Sequence, residues 1–494
     1  MVDTKKNRSV IINSIIGLVI MFGFQLLPIS LPEVTSVGMM VLGVFLGTLY
    51  LWSTVDPLWA SIMAVVALGF LGYDGMSNVL VSWMGNAVVV QTLFMMVIGE
   101  ALHTNGITTY MARFFLTRKS INGKPWLFTF VICLGCFLIS AFVSAWAPIF
   151  IFWPVLYDVF QEVGYEKGEK YPTIAVILVA ASTLLGFPVP PYMGNILLLI
   201  GNYATLTAEL PGGAVLINSA TYLCTVVLLG IVLCAALVLV AKFILRPDVE
   251  RLKNINIDML KEKNPLPPMS VQQKVLSWGF VVLVVLLLLP CVLPKTIGWV
   301  AFLSDNSVGL CVFACALLGA LRIQGKPAMD LPAVVKNISW STYFMCATAI
   351  YLGGALTSAD TGITDFLSYV LNPMFSSLSP IAFTIIFLLA GFILTNVCNS
   401  LVIAILMQPV LAAFAASSGM DTTVVCMLMM YTILGTAFIT PAASPFSAIL
   451  FSNKEWLVNS RHTYTYTAVF SVTEMLIILA LGIPLATGFV SLIG

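Results

Sequence analysis

Two short runs of polar residues sit in surroundings that are almost wholly apolar: "SAFVSAWAP", from Ser140 to Pro148, and "TNVCNS", from Thr395 to Ser400. The first offers two hydroxyls one helical turn apart, Ser140 and Ser144, beside Trp146. The second offers two amides and two hydroxyls, those of Thr395, Asn396, Asn399 and Ser400. Oxygens of this kind can ligate a cation, and amide and hydroxyl donors can hold an anion. An unpaired polar side chain in hydrocarbon is costly, so both runs belong against protein or a wet cavity. Hydrogen bonding between packed helices is the competing use.

Two further stretches break otherwise helical patterns: "LLGFPVPPYMGN" at 184–195, with Pro188 and Pro190, and "ITPAASPFSAIL" at 439–450, with Pro441 and Pro445. Proline removes a backbone donor and clashes with the carbonyl one turn earlier, so such doublets unwind a helix. At membrane depth the freed carbonyls can coordinate a cation, and the N-terminus of the following half-helix can hold an anion. Ser444 lies inside the second break, and the equivalent upstream positions lack its hydroxyl. Ionisable residues within apolar stretches are few. Glu100 and His103 stand one turn apart, where they could relay protons, and Glu474 lies in the last apolar run. The chain has two histidines, and no deep Ser–His pair, aspartate pair or acidic metal motif, so intramembrane enzymes fit poorly.

These groups need elements to hold them, and composition says of what kind. Hydrophobic residues make up 60% of the 494 and charged residues 9%, which excludes a water-soluble globule and marks a polytopic membrane protein in a lipid bilayer. With 22 Lys plus Arg against 21 Asp plus Glu and no basic arm, nothing points to nucleic acid. The ten cysteines are scattered through apolar segments and read as small hydrophobes, the "CLGC" of Cys133 and Cys136 included. Apolar windows predict about eleven transmembrane helices, near 10–28, 37–53, 58–73, 84–104, 172–208, 215–245, 275–293, 307–321, 338–357, 422–451 and 464–490. The runs 126–160 and 381–416 are too long for one crossing and polar at their middles. They read as re-entrant hairpins or tight helix pairs.

Lys and Arg collect in alternate loops, which places the N-terminus in the cytoplasm and the C-terminus outside, in a cell membrane. The opposite loops 29–36, 205–214 and 358–380 contain neither residue, and Lys295 is the exception. The polar stretch 246–274 reads as a cytoplasmic linker between a first repeat, 37–245, and a second, 275–494, with 1–36 as an N-terminal span and loop. Ser140 pairs with Thr395, Ser144 with Asn399, Pro154 with Pro409 and Pro190 with Pro445, each 255 positions apart. "GEALHTNGIT" at 99–108 echoes "GGALTSADTGIT" at 353–364, and Ser82–Trp83 recurs at Ser339–Trp340. By the loop charges the two hairpins open from opposite sides, so the repeats are inverted and both tips lie near the midplane. Gly43 and Gly47 form a G-x-x-x-G, a helix or dimer contact.

Taken together, the tips and breaks resemble the divalent anion:sodium symporter family of the ion transporter superfamily, whose members take up dicarboxylates, citrate or sulfate. Members carry Ser-Asn-Thr at each tip, where this chain has Ser144, Ala145, Trp146 and Asn399, Ser400, Leu401. Their second break reads Ala-Thr-Pro-Pro-Asn-Ala, here Ala443, Ser444, Pro445, Phe446, Ser447, Ala448. The chain thus resembles a divergent member. The resemblance implies an all-α homodimer working as a symporter by elevator-type alternating access, with sodium as coupling ion. One sodium would lie among Thr395, Asn399, Ser400 and Ala443, and another would begin with Ser140 and Ser144. The small anionic substrate would meet Ser144, Trp146, Asn399, Ser400, Ser444, Pro445 and Pro190. Trp146 and Leu401 stand where hydroxyls would contact a carboxylate, which allows a larger or less charged cargo and leaves proton coupling or exchange open.

Overall fold

The computed structural model describes residues 2–116, 123–142, 145, 147–208, 213–254, 267–294, 296–363, 365–366, 369, 378–453 and 455–493. It is all helix apart from a strand pair of two residues each, Arg322–Ile323 and Lys326–Pro327. Among the described residues six helices are long and apolar enough to cross a membrane, and the pair Gly298–Asp305 and Ser307–Ala320, bent by 77°, makes a seventh if it is one span. Several of the other expected crossings form shorter apolar helices. A helix walled by protein rather than lipid does not need the full ~20 residues.

Helix α1 (Val2–Gly23) leads into α2 (Ser36–Thr54), which Thr35 caps by accepting from the Gly38 amide at 3.0 Å. The glycine pair on α2 serves this contact. A Cβ on Gly43 would lie 2.6 Å from the Cβ of Phe24, and one on Gly47 would lie 2.8 Å from the carbonyl oxygen of Gly17. The missing side chains let the two backbones close, as small residues do between membrane helices. The other face of α1, with Ile11, Ile15 and Val19, is exposed apolar surface suited to lipid. Helix α3 (Pro57–Leu71) starts with Asp56 capping two amides and Pro57 at its first position. Helix α4 (Met76–Met84) and α5 (Ala87–Thr104) follow, and Trp83 donates to the Thr348 hydroxyl at 3.1 Å. The Ser82–Trp83 motif therefore ties the first half to the second.

After α6 (Ile107–Leu116), the chain makes a helical hairpin from α7 (Pro125–Phe142) and α8 (Ala147–Glu162). It packs on α9 (Lys170–Gly186), every residue of which from Tyr171 onward is buried. Helix α9 stops at the proline cluster, and α10 (Gly194–Thr207) restarts at Gly194, whose φ of 61° suits glycine. Helix α11 (Ser219–Val240) closes the first half. The second half runs through α12 (Val271–Val292), α13 (Gly298–Asp305), α14 (Ser307–Ala320), α15 (Leu331–Val335) and α16 (Trp340–Thr357). A second hairpin follows, α17 (Pro380–Thr395) and α18 (Ser400–Ser418), packed on α19 (Thr423–Gly435). A break over 436–444 leads into α20 (Pro445–Ser452), and α21 (Ser460–Ile477) and α22 (Ile483–Ile493) flank a π-helical turn at Ile478–Gly482.

Hairpin, broken helix and half-helix thus occur twice in the same order. The halves meet through their breaks: α20 packs on α9, and α10 on α18. Where α10 meets α18, the Asn202 amide donates to Gln408 at 2.6 Å, and Gln408 donates to the Leu199 carbonyl at 2.7 Å. At another side of the molecule, Thr35 bonds the Asp360 and Thr361 carbonyls, with Gly38 and Gly362 allowing the close approach. The start of the polar linker is pinned to the α8–α9 connection by Arg251, which reaches Glu169 at 3.0 Å and the Gly164 carbonyl at 2.7 Å. Residues 255–266 of that linker lie outside the described residues.

Candidate substrate cavity

At both breaks, hydroxyls from neighbouring elements bond carbonyls at and beyond the helix ends, some of which also accept a backbone amide. Ser140, in the last turn of α7, donates to the Thr183 carbonyl near the end of α9 at 2.7 Å. Thr395, its counterpart in the last turn of α17, donates to the Ile433 carbonyl near the end of α19 at 2.8 Å. Further along, Tyr222 of α11 donates to the Pro188 carbonyl at 2.6 Å, and Ser471 of α21 to the Thr436 carbonyl at 2.8 Å. Each break is therefore held by one hydroxyl from its hairpin and one from the helix beyond.

The second break is also stitched to the second hairpin tip. Ser400 donates its amide to the Ala443 carbonyl at 2.9 Å, Thr440 its hydroxyl to the Asn396 carbonyl at 2.7 Å, and Ile439 its amide to the Asn396 side chain at 3.0 Å. Asn399 caps α18 by accepting from Leu401 and Val402. Ser444 caps α20, accepting from the Ser447 amide while donating to the Ala437 carbonyl at 2.6 Å. Pro445 is the first residue of α20, where its missing N–H costs nothing.

A cavity of about 350 Å³ opens where these parts converge. Asn399, Ser400 and Leu401 of the second tip line it, with Ser444, Pro445 and Phe446 of the second break. From the first half come Ala145, Phe187, Met193, Gly194 and Asn195. The rings of Phe187 and Phe446 meet at 5.1 Å, so the two breaks touch. The remaining wall includes one face of α5, with Thr92, Glu100 and His103, and the N-terminal end of α16, with Ser339 and Thr342. No Lys or Arg lines the cavity among the described residues.

Of the residues singled out by sequence, Asn399, Ser400, Ser444 and Pro445 are brought together in this cavity. Thr395 and Ala443 stand behind it, buried and engaged in the bonds described above. Ser140 holds α9 from the far hairpin. Pro190 is buried in the first break, four positions before α10, and does not line the cavity, whereas Pro445 does. Ser144 and Trp146 lie outside the described residues.

Sequence reasoning missed Asn195, Thr342 and Ser339 as cavity groups. Asn195 ends the quoted first break and Ser339 belongs to the repeated Ser–Trp motif, so both carried a signal. The sequence marks Glu100 and His103 only as a pair that could relay protons. They stand on the cavity wall, with Glu100 half-buried and His103 exposed. Cys133 and Cys136 are buried, and no metal-ligand group occurs among the described residues.

Three helices present their N-termini to this space: α10 at Gly194, α18 at Ser400 and α20 at Pro445. Each carries roughly half a positive charge. Their sum, about 1.5 charges by that rule, exceeds the single negative charge of an ionised Glu100, so the arrangement favours an anion. Met193 makes no side-chain cap at the start of α10, unlike Asn399 and Ser444 on the other two helices.

A family model described as a citrate transporter matches residues 47–434. No curated protein sequence matches the chain. Among solved structures, the YdaH transporter of Alcanivorax borkumensis, described as having an unusual topology, is similar with a TM-score of 0.58. The match covers 91% of this chain and 98% of that one at 13% identity, a likeness that shows the fold alone.

Proposed function

Since the chain belongs to the citrate transporter family, a group of membrane transporters and not of enzymes, we propose that it moves a small organic anion, a carboxylate such as citrate, across the cell membrane as a sodium-coupled symporter. The observation that carries this reading is the convergence of three helix N-termini on one cavity without a lysine or arginine. Helix dipoles and the Asn195 and Asn399 amides hold the carboxylate, and Ser444, whose hydroxyl is engaged with the Ala437 carbonyl, fixes the start of α20 beside it. The oxygens of Thr395, Asn399, Ser400 and Ala443 beside it offer sodium the hard ligands it takes.

Among the cavity's exposed lining residues, His103, Asn337 and Ser339 lie at the end of α5 and just before α16. The segments that adjoin them, 105–124 and 322–339, carry Arg113, Arg118, Lys119, Lys124, Arg322, Lys326 and Lys336. By the positive-inside rule the cavity opens to the cytoplasm, the inward-facing state of an alternating-access cycle. A homodimer with elevator motion of the hairpin-bearing part completes the proposal. A second reading, proton coupling, is favoured by the presence of Glu100 and His103 on the cavity wall.

Uptake of labelled citrate, dicarboxylates and sulfate into proteoliposomes, with and without a sodium gradient, tests this. Accumulation of one carboxylate that collapses without sodium is the expected result. Absence of accumulation of any anion under either a sodium or a proton gradient overturns the reading, and accumulation on a proton gradient alone selects the second one.

A further inference from the structure

Outside the lining of the cavity lies a buried carboxyl that the transport reading does not use. Glu474 of α21 is 0% exposed, and neither Oε1 nor Oε2 has a hydrogen-bond partner. Both salt bridges found among the described residues, Arg251 with Glu169 and Lys253 with Glu250, lie elsewhere. An ionised carboxylate without a donor or counter-charge is not stable in such a place, so the group there is the neutral acid.

Its surroundings are suited to a proton and poorly suited to a metal ion. The titratable groups near Glu474 on helices packed around it are the Cys234 thiol of α11 and the Tyr431 phenol of α19. Cys133 and Cys136 of α7 lie beyond Cys234, and α9 brings Ser182 beside Cys133 and Cys234. Thiols are poor ligands for sodium, and these residues do not form a metal-ligand group. The Tyr431 hydroxyl, fully buried, also lacks a partner and can serve as donor when the acid loses its proton.

Glu474 is mechanically connected to the break. It lies one turn after Ser471, whose hydroxyl holds the freed Thr436 carbonyl, and Tyr431 lies in the last turns of α19 before that break. One turn beyond it, the π-helical turn at Ile478–Gly482 changes the register of the last span, a feature frequent at functional sites. We propose that Glu474 is a proton-binding site of the moving part of the protein, occupied in this conformation and separate from the cavity, whose loading and release are linked to cargo movement. This rests on the transporter reading.

The test compares wild type, Glu474→Gln and, as an exposed-carboxyl control away from the cavity, Glu455→Gln in proteoliposomes with equal sodium on both sides, using whichever carboxylate wild type exchanges. Exchange of labelled for unlabelled cargo, which needs no net proton movement, should persist in Glu474→Gln within about twofold. Accumulation driven by an imposed pH gradient should be present in wild type and Glu455→Gln and lost in Glu474→Gln. A wild type that exchanges but ignores the pH gradient, or a Glu474→Gln protein that responds as wild type does, overturns the proposal. Absence of exchange in wild type would instead overturn the transporter reading. Should Glu474→Gln not fold, infrared spectroscopy at neutral pH decides: a protonated-carboxyl band in wild type that persists in Glu100→Gln is expected, and its absence from either overturns the assignment.

Discussion

Neutralising Glu100 is expected to tighten the binding of an anion, because its carboxylate is the one acidic group on the cavity wall among the described residues. At a separation on the order of 8 Å and an effective dielectric of 20, one like charge costs a monoanion about 2 kcal/mol, less where water enters. Glu100→Gln should therefore lower the apparent Kd of a carboxylate by several-fold, read by calorimetry on the detergent-solubilised protein. Asn399 and Ser444 call for more than alanine, since each also caps a helix and its loss alone costs about 1 kcal/mol of stability. Asn399→Asp keeps the cap but replaces an amide donor with a negative charge. Transport should fall at least tenfold in it while the melting temperature stays close to wild type; unchanged transport would confine Asn399 to capping. The amides and hydroxyls at 395–400 and 439–447 were legible in the sequence because polar groups are rare in its apolar runs. Asn195, Ser339 and Thr342 were harder to read. Each is a common residue at a helix start, where a polar side chain is ordinary, and its cavity role follows from packing between halves.

At the scale of the elements, hairpin, broken helix and half-helix follow the sequence closely because proline acts locally and leaves little to tertiary context. The hydroxyls that satisfy the freed carbonyls were not legible. Tyr222 and Ser471 come from helices beyond the breaks and share neither residue type nor a recognisable motif. Tyr222→Phe should destabilise the protein by about 1–2 kcal/mol, because the buried Pro188 carbonyl is left unpaired, and Ser471→Ala by less, because the Thr436 carbonyl keeps the Phe438 amide at 3.1 Å. Lowered melting temperatures in thermal unfolding would show it, and unaltered ones would mean that water replaces the hydroxyl. The G-x-x-x-G left helix and dimer contacts open, and the structure assigns it to α1 against α2. Gly47→Leu would drive a side chain into the Gly17 backbone and should cost at least 1–3 kcal/mol.

For the whole molecule, the proposed inward-facing state predicts accessibility. A cysteine introduced at Ser339 should react with a membrane-impermeant thiol reagent supplied from the cytoplasmic face and be protected by cargo; labelling from the outside only would reverse the orientation. The resemblance drawn from altered tip signatures holds at this scale, since both the family match and the shared fold extend over most of the chain. What a linear reading could not show is that loops far apart in sequence close the bundle. Thr35 grips the Asp360 carbonyl across 325 positions, with Gly38 and Gly362 shaped to admit it. At roughly 5–20 residues per second, a ribosome takes about 16–65 s to cover that distance. For that interval the first half must wait in the bilayer with Thr35 unclasped and Asn202 without Gln408, so the timing of synthesis, as well as the contacts themselves, bears on whether the transporter assembles.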